Sequence, residues 1–219
     1  GGTIFNPDES QVTFNSPEGV AIVQFWQDMV REGIMKAPVG QDYNAWDVVN
    51  SDLASGKVAM GQLSTASLSG LLNASKGKFE LGTAFLPEGK KRGVPTGGAC
   101  LVILAKAPAG NKKAAAAFIK YLTNTKNAAA FSEASGYMPA TYSAVKSDRI
   151  QKLYGQYPQY EVAYRQLEHA NTRPMRKGYR EMSVIMQEEF KKAMRDTSIS
   201  PQSIVESAAQ KVQELIDEQ

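Results

Sequence analysis

A single cysteine, Cys100, and a single histidine, His169, stand in a chain of 219 residues. One thiol forms no internal disulfide, and neither a Cys-rich zinc site nor a multi-histidine metal centre can be assembled from this set. No metal and no other cofactor is expected. Long apolar runs are missing as well: the longest, Ala99 to Ala105, falls far short of the roughly 20 residues of a membrane-spanning helix. An excess of one charge is also absent. Lys and Arg number 25 against 22 Asp and Glu, and a net charge of +3 is too small to claim nucleic acid or a membrane surface as partner. The opening Gly1-Gly2-Thr3-Ile4-Phe5 has neither a basic n-region nor an apolar h-region, so no targeting peptide is expected; a processed or truncated chain would begin this way.

What is present is ordinary for a globular protein: 42% hydrophobic and 21% charged residues, enough for one sizeable core or two small ones. Ser16-Pro17-Glu18 reads as N-cap, N1 proline and first-turn acid. The apolar spacing of Ile22, Phe25, Trp26 and Met29 then predicts an amphipathic helix that stops near Gly33. A second helix is expected over 46–54, closed by Gly56, followed by a short strand at Val58-Ala59-Met60. Ser64, Thr65, Ala66 and Ser67 stand before a helix that carries Leu68, Leu71 and Leu72. Strands are expected at Phe79 to Phe85 and, buried, at Ala99 to Ala105, with a solvated loop from Glu88 to Gly98 between them. This alternation predicts a layered α/β fold.

Beyond Pro108 the pattern is helical. One stripe is formed by Ala114, Ala117, Phe118, Tyr121 and Leu122, and an alanine-rich helix runs from Lys126 to Gly136. Further helices are expected over 141–153, 158–170, 179–195 and 201–218, the last striped by Ile204, Ala208, Val212, Leu215 and Ile216.

Catalytic chemistry finds little footing. Glu168 and His169 are adjacent on a helical segment and should diverge, so they make no base and partner. Glu188-Glu189, followed by Lys191 and Lys192, reads as a solvated helix face. Cys100, between Ala99 and Leu101-Val102-Ile103, reads as core packing. Gly97-Gly98 lacks the spaced glycines and following lysine of a phosphate loop.

Two features suit binding instead. At Ser64, Thr65 and Ser67, hydroxyls meet the free N–H groups of a helix start, a corner for a polyol or an anion, although one of them could simply cap the helix. The run Arg173-Pro174-Met175-Arg176-Lys177-Gly178-Tyr179-Arg180 places four cations where a helix begins. There they oppose the macrodipole, which an anion would relieve, although a basic loop has the same composition.

The order and spacing of five motifs carry a resemblance across nearly the whole chain. They are Gly1-Gly2-Thr3-Ile4-Phe5, Phe14-Asn15-Ser16-Pro17-Glu18-Gly19-Val20, Ala54-Ser55-Gly56-Lys57-Val58-Ala59-Met60, Thr96-Gly97-Gly98-Ala99 and Ser135-Gly136-Tyr137-Met138-Pro139. The chain resembles the extracellular solute-binding proteins of ABC uptake systems, in the carbohydrate-type branch that includes the glycerol-3-phosphate-binding periplasmic proteins, and it resembles only their C-terminal half.

The resemblance implies a periplasmic-binding-protein-like α/β fold, no catalysis, and a periplasmic or membrane-anchored extracellular receptor that hands a small carbohydrate-like solute to ABC permease subunits. It implies ligand contacts at Ser64, Thr65 or Ser67, at Gly97 or Gly98, at Tyr137 and at Arg180. Arg180 would pair with a phosphate, the glycines would let backbone amides approach it, the hydroxyls would bond ligand oxygens, and Tyr137 would donate its phenol or stack on a sugar. It further implies that 1–96 and 141–219 are two parts of a C-terminal lobe, while 97–140 belong to an N-terminal lobe otherwise missing. That leaves an apolar face around Ala99 to Ala105, Phe118 and Tyr121 for a second chain or self-association to cover. A neutral sugar or oligosaccharide receptor, in which Tyr179 would serve the sugar, stays open beside glycerol-3-phosphate or a glycerophosphodiester. A glycan hydrolase would need a facing carboxylate pair that the spacing does not supply. A helical adaptor module would turn its basic loop to a protein partner.

Overall fold

A computed structural model describes residues 2–37 and 43–218; Gly1, which opens the first motif, lies outside them. The chain divides into two compact units. One comprises Gly1–Val39, Gly89–Lys91 and Arg173–Gln219, the other Gly40–Glu88 and Arg92–Thr172.

In the first unit, helices α1 (Pro17–Arg31), α9 (Tyr179–Arg195) and α10 (Pro201–Asp217) pack together. Ser16 caps α1 by accepting from the Gly19 N–H, with Pro17 in the first turn as expected. Gly19 is required by close approach: a Cβ there would lie 1.8 Å from the Phe14 carbonyl oxygen, inside any contact distance. The core joins Phe14, Val23, Met182 and Ala193 to the α10 stripe of Ile204, Ala208, Val212 and Ile216. The buried face of α1 is rotated from the expected one. Val23 and Gln27 point inward while Ile22 and Phe25 are exposed, because Gln27, 1% accessible, donates from Nε2 to the Ile199 carbonyl and so satisfies its amide N–H inside the core. An antiparallel bridge between Phe5 and Val12 closes the N-terminal hairpin.

The pair at Glu188-Glu189 is likewise not a solvated face. Glu189 is buried. Its Oε1 accepts from Lys192 Nζ at 2.6 Å and Lys211 Nζ at 2.5 Å, and its Oε2 accepts from Ser207 at 3.2 Å. Burial pushes this carboxyl up, but the two ammonium hydrogen bonds and charges outweigh it and hold the group below its usual range.

The second unit contains α2 (Tyr43–Ala54), α3 (Leu68–Ser75), α4 (Ala109–Leu122), α5 (Thr125–Ser135), α6 (Tyr142–Val145), α7 (Asp148–Gln156) and α8 (Gln159–Gln166). Its core gathers Leu68, Ala128, Ala129, Ala144, Ile150, Leu153, Tyr154 and Tyr160. The span expected as one helix over 141–153 is split, with Ser147 capping α7 through the Ile150 N–H. That expected over 158–170 shortens to α8 and a 3-10 turn at Leu167–His169.

Strands were over-expected. Among the described residues the sheet is β1 (Val94–Pro95) paired in parallel with β2 (Ala170–Asn171). Val58 to Met60, Phe79 to Phe85 and Ala99 to Ala105 are irregular. The run read as a buried strand is open to solvent, with Val102 and Leu104 each 72% exposed, and Cys100 is exposed with it rather than packed in a core. A strand with no neighbour to pair with gains nothing from its β-branched residues. Helix α4 shares this exposure: it buries no residue, and Phe118 and Tyr121 of its apolar stripe face outward, as the family resemblance led us to expect.

Candidate functional site

The hydroxyl cluster lies on a tight turn. Ser64 is the N-cap of a 3-10 turn over Thr65–Ser67, its hydroxyl accepting from the Ala66 N–H at 3.2 Å, and α3 follows directly. Capping therefore accounts for Ser64. Ser67, at the N-cap of α3, makes no side-chain cap bond, and neither its hydroxyl nor that of Thr65 has a hydrogen-bond partner among the described residues. Both side chains are half-buried. A half-buried hydroxyl without a partner is ready to exchange water for a ligand oxygen.

Tyr137 is brought to the same corner by Gly136. Asn124 caps the start of α5 through the Asn127 N–H, and Gly136 ends it in the left-handed conformation at φ 89°. The Gly136 backbone then runs so close to the hydroxyl turn that a Cβ would stand 2.6 Å from the Thr65 carbonyl oxygen and 3.1 Å from Leu68 Cβ. Only glycine fits there. The next residue, Tyr137, has its carbonyl fixed by the Ser132 hydroxyl and its N–H by Ser135 Oγ. Its ring stacks on Phe131, with centroids 6.0 Å apart and planes inclined by 21°. The Phe131 partner was not legible in sequence, although the i, i+6 span across a glycine helix stop is the signal that could have found it.

Gly97 and Gly98 leave the β1–β2 pair. Thr96 donates both its N–H (3.0 Å) and its hydroxyl (3.2 Å) to the Asn171 carbonyl, which anchors the strand end; the two glycines beyond are exposed, and a Cβ at Gly98 would meet nothing within 4 Å. Arg180 belongs to the other unit, in the first turn of α9 and exposed. The helix start it occupies has Gly178 in the left-handed conformation and no side-chain cap. Part of the basic run is structural: the Arg176 guanidinium donates to the carbonyl of Glu9, a non-glycine residue at φ 58°.

Glu168 and His169, expected to diverge, instead meet across the 3-10 turn, Nε2 standing 3.1 Å from Oε1. A 3-10 turn sets successive residues no closer than an α-helix does, so it is the bending of the two side chains toward each other that makes the contact. Of two hollows in the first unit, one of about 480 Å³ lies beside Asn15, Val20 and Gln202 and one of about 230 Å³ beside Phe5, Tyr179 and Met186; the second includes Tyr179, the residue expected to serve a neutral sugar, and neither includes Ser64, Thr65, Ser67, Gly97, Gly98, Tyr137 or Arg180.

Compared with known families, the chain matches the profile of the bacterial extracellular solute-binding proteins over residues 2–159. The chain belongs to that family. Among curated relatives, the sn-glycerol-3-phosphate-binding periplasmic protein UgpB of Pectobacterium atrosepticum is 26% identical over 217 residues, covering 94% of this chain and 47% of the relative. UgpB of Salmonella typhimurium is 25% identical, covering 97% and 49%. The chain thus spans about half the length of the curated relatives it matches.

Solved structures give the same picture. UgpB of Mycobacterium tuberculosis in complex with glycerophosphocholine superposes with a TM-score of 0.83 at 26% identity, over 99% of this chain and 53% of that one. Maltose-bound MalE3 of T. maritima superposes with a TM-score of 0.81 at 20% identity, over 98% and 54%, a likeness that shows the fold alone. The fold class of this chain is accordingly periplasmic-binding-protein-like α/β, with far more helix than strand among the described residues. No helix among its described residues is long and apolar enough to cross a membrane.

Proposed function

We propose that this solute-binding chain is part of the receptor of an ABC importer, which captures a small carbohydrate-like solute outside the cytoplasmic membrane and passes it, chemically unchanged, to the permease. Glycerol-3-phosphate or a glycerophosphodiester is the proposed ligand. The observation that carries the reading is the corner where Gly136 lies against Thr65: it brings the Tyr137 loop beside two unpartnered hydroxyls, a set suited to a polyol. The family match and the UgpB relatives support the solute class. In this reading Thr65 and Ser67, with Ser64 where its cap allows, bond ligand oxygens, the Gly97-Gly98 backbone approaches the ligand, Tyr137 donates or stacks, and Arg180 takes the phosphate. The chain performs no catalysis.

Residues 97–140 are proposed as the share of a second lobe, for which the exposed Leu101 to Leu104 run and the unburied α4 speak; a further chain segment or a second copy would cover them. A neutral sugar is the second reading, favoured by the Tyr137–Phe131 stack, whose broad face suits a pyranose.

Saturation-transfer NMR on the chain with glycerol 3-phosphate, glycerophosphocholine, maltose and glycerol as separate probes tests the proposal. Transfer to either phosphate ester, weakened by added salt and lost in Arg180→Ala, supports it. Transfer only to maltose and indifferent to salt supports the sugar reading. No transfer to any probe, or conversion of one, overturns both.

A further inference from the structure

Away from the hydroxyl corner, the second unit gathers charged side chains around one ring. The Arg92 guanidinium carbon lies 5.2 Å from the centroid of Phe85, that of Arg165 lies 6.0 Å away, and the His169 ring meets it edge-on at 6.3 Å. These residues come from the segment before β1, the last turn of α8 and the 3-10 turn before β2, so the convergence is tertiary. The backbone beneath is pinned: the Leu86 N–H donates to Gln166 Oε1 at 2.5 Å, and Arg92 donates to the Leu86 carbonyl at 3.3 Å.

The charges do not cancel. Arg92 Nε pairs with Glu88 Oε2 at 3.1 Å and His169 with Glu168, but Arg165 meets no carboxylate among the described residues, and the Phe85 ring is its one described contact. A guanidinium resting on an aromatic ring keeps its N–H edge open to an oxyanion, and the ring limits the conformers it must give up on binding.

We infer that Phe85, Arg92 and Arg165 form a binding site for a phosphoryl or sulfate group, distinct from the residues proposed above for the solute and independent of that reading. Arg165 and the Nη2 group of Arg92 donate to the oxyanion, Phe85 holds both in place, and Glu88 competes for Arg92. The site selects dianionic oxyanions over halide, since it offers forked donors rather than a bare charge.

Inorganic phosphate, titrated into the intact chain at constant ionic strength and followed by the arginine Nε–H and Phe85 ring resonances in NMR, tests this. The expected result is a saturable shift of Arg92, Arg165 and Phe85 that sulfate reproduces and chloride does not. Arg165→Gln, an exposed change that leaves the Leu86 anchors intact, should weaken binding at least three-fold, and Glu88→Gln should tighten it by freeing Arg92. A non-saturating drift, equal response to chloride, or an unchanged affinity in Arg165→Gln would overturn the proposal.

Discussion

Replacing Gly136 by alanine should cost the second unit stability and the proposed site its shape. Two terms act together. Gly136 holds φ 89°, where a residue with a Cβ pays about 1–2 kcal/mol. The new Cβ would also stand 2.6 Å from the Thr65 carbonyl oxygen, 3.1 Å from the Ser69 nitrogen and 3.1 Å from Leu68 Cβ. Two of these neighbours are backbone atoms, which cannot rotate aside, so the overlap adds about 1–3 kcal/mol of overpacking. The sum, about 2–5 kcal/mol, corresponds to a fall in Tm of roughly 5–15 °C for a chain of this size. The control is Gly155→Ala in α7, where the added Cβ meets nothing within 4 Å and helix propensity alone should stabilise by about 0.8–1 kcal/mol. Circular dichroism melts of both variants decide the matter. A Gly136→Ala variant that melts with the parent would show that the hydroxyl turn and the Tyr137 loop are not in contact, and the candidate site would lose its frame.

Other outcomes follow from the same coordinates. Gly19→Ala, whose Cβ would fall 1.8 Å from the Phe14 carbonyl oxygen, should unfold the N-terminal turn of α1 and lower the Tm by more than Gly136→Ala does, readable in the same melts. Glu189→Ala should destabilise by about 2 kcal/mol in urea titration, less than a fully enclosed pair because the two lysine heads are half in water. Because the Glu189 carboxyl titrates lower in the folded chain than in the unfolded one, its contribution is present above the usual carboxylate range and is lost as pH falls through its folded value; the urea midpoint should therefore drop more steeply on acidification in the parent than in Glu189→Gln. The Tyr154 hydroxyl, buried with no partner among the described residues, has its pKa pushed up to about 12 by burial, with smaller contributions from Glu161 and Tyr164. Tyr154→Phe should leave the Tm unchanged or raise it, and a fall of several degrees would mean the hydroxyl is bonded after all.

Local signals were legible in the sequence and long-range ones were not. Ser16-Pro17, the Gly136 stop and Ser200-Pro201 placed α1, α5 and α10 within a residue or two, because caps act on their own neighbours. The strands at 58–60, 79–85 and 99–105 did not form, since a strand depends on a partner elsewhere in the chain and no propensity reports whether one is there. The inward turn of Gln27 and the burial of Glu189 were hidden for the same reason: their partners are Ile199 and Lys211, far off in sequence. Of the candidate site, the hydroxyl turn was visible as a cluster, but its junction with Tyr137 rests on Gly136 packing on Thr65, across about seventy residues of chain.

The central claim, that this chain holds a small solute at the corner built by Thr65, Ser67 and Tyr137, is tested most directly by mapping backbone amide shifts as glycerol 3-phosphate is added. The account predicts saturable shifts at 64–67, 97–98 and 136–137 and at Arg180, abolished in Thr65→Val combined with Tyr137→Ala, with the ligand recovered unaltered. Shifts confined to other surfaces, or none at concentrations that saturate a millimolar site, would contradict it.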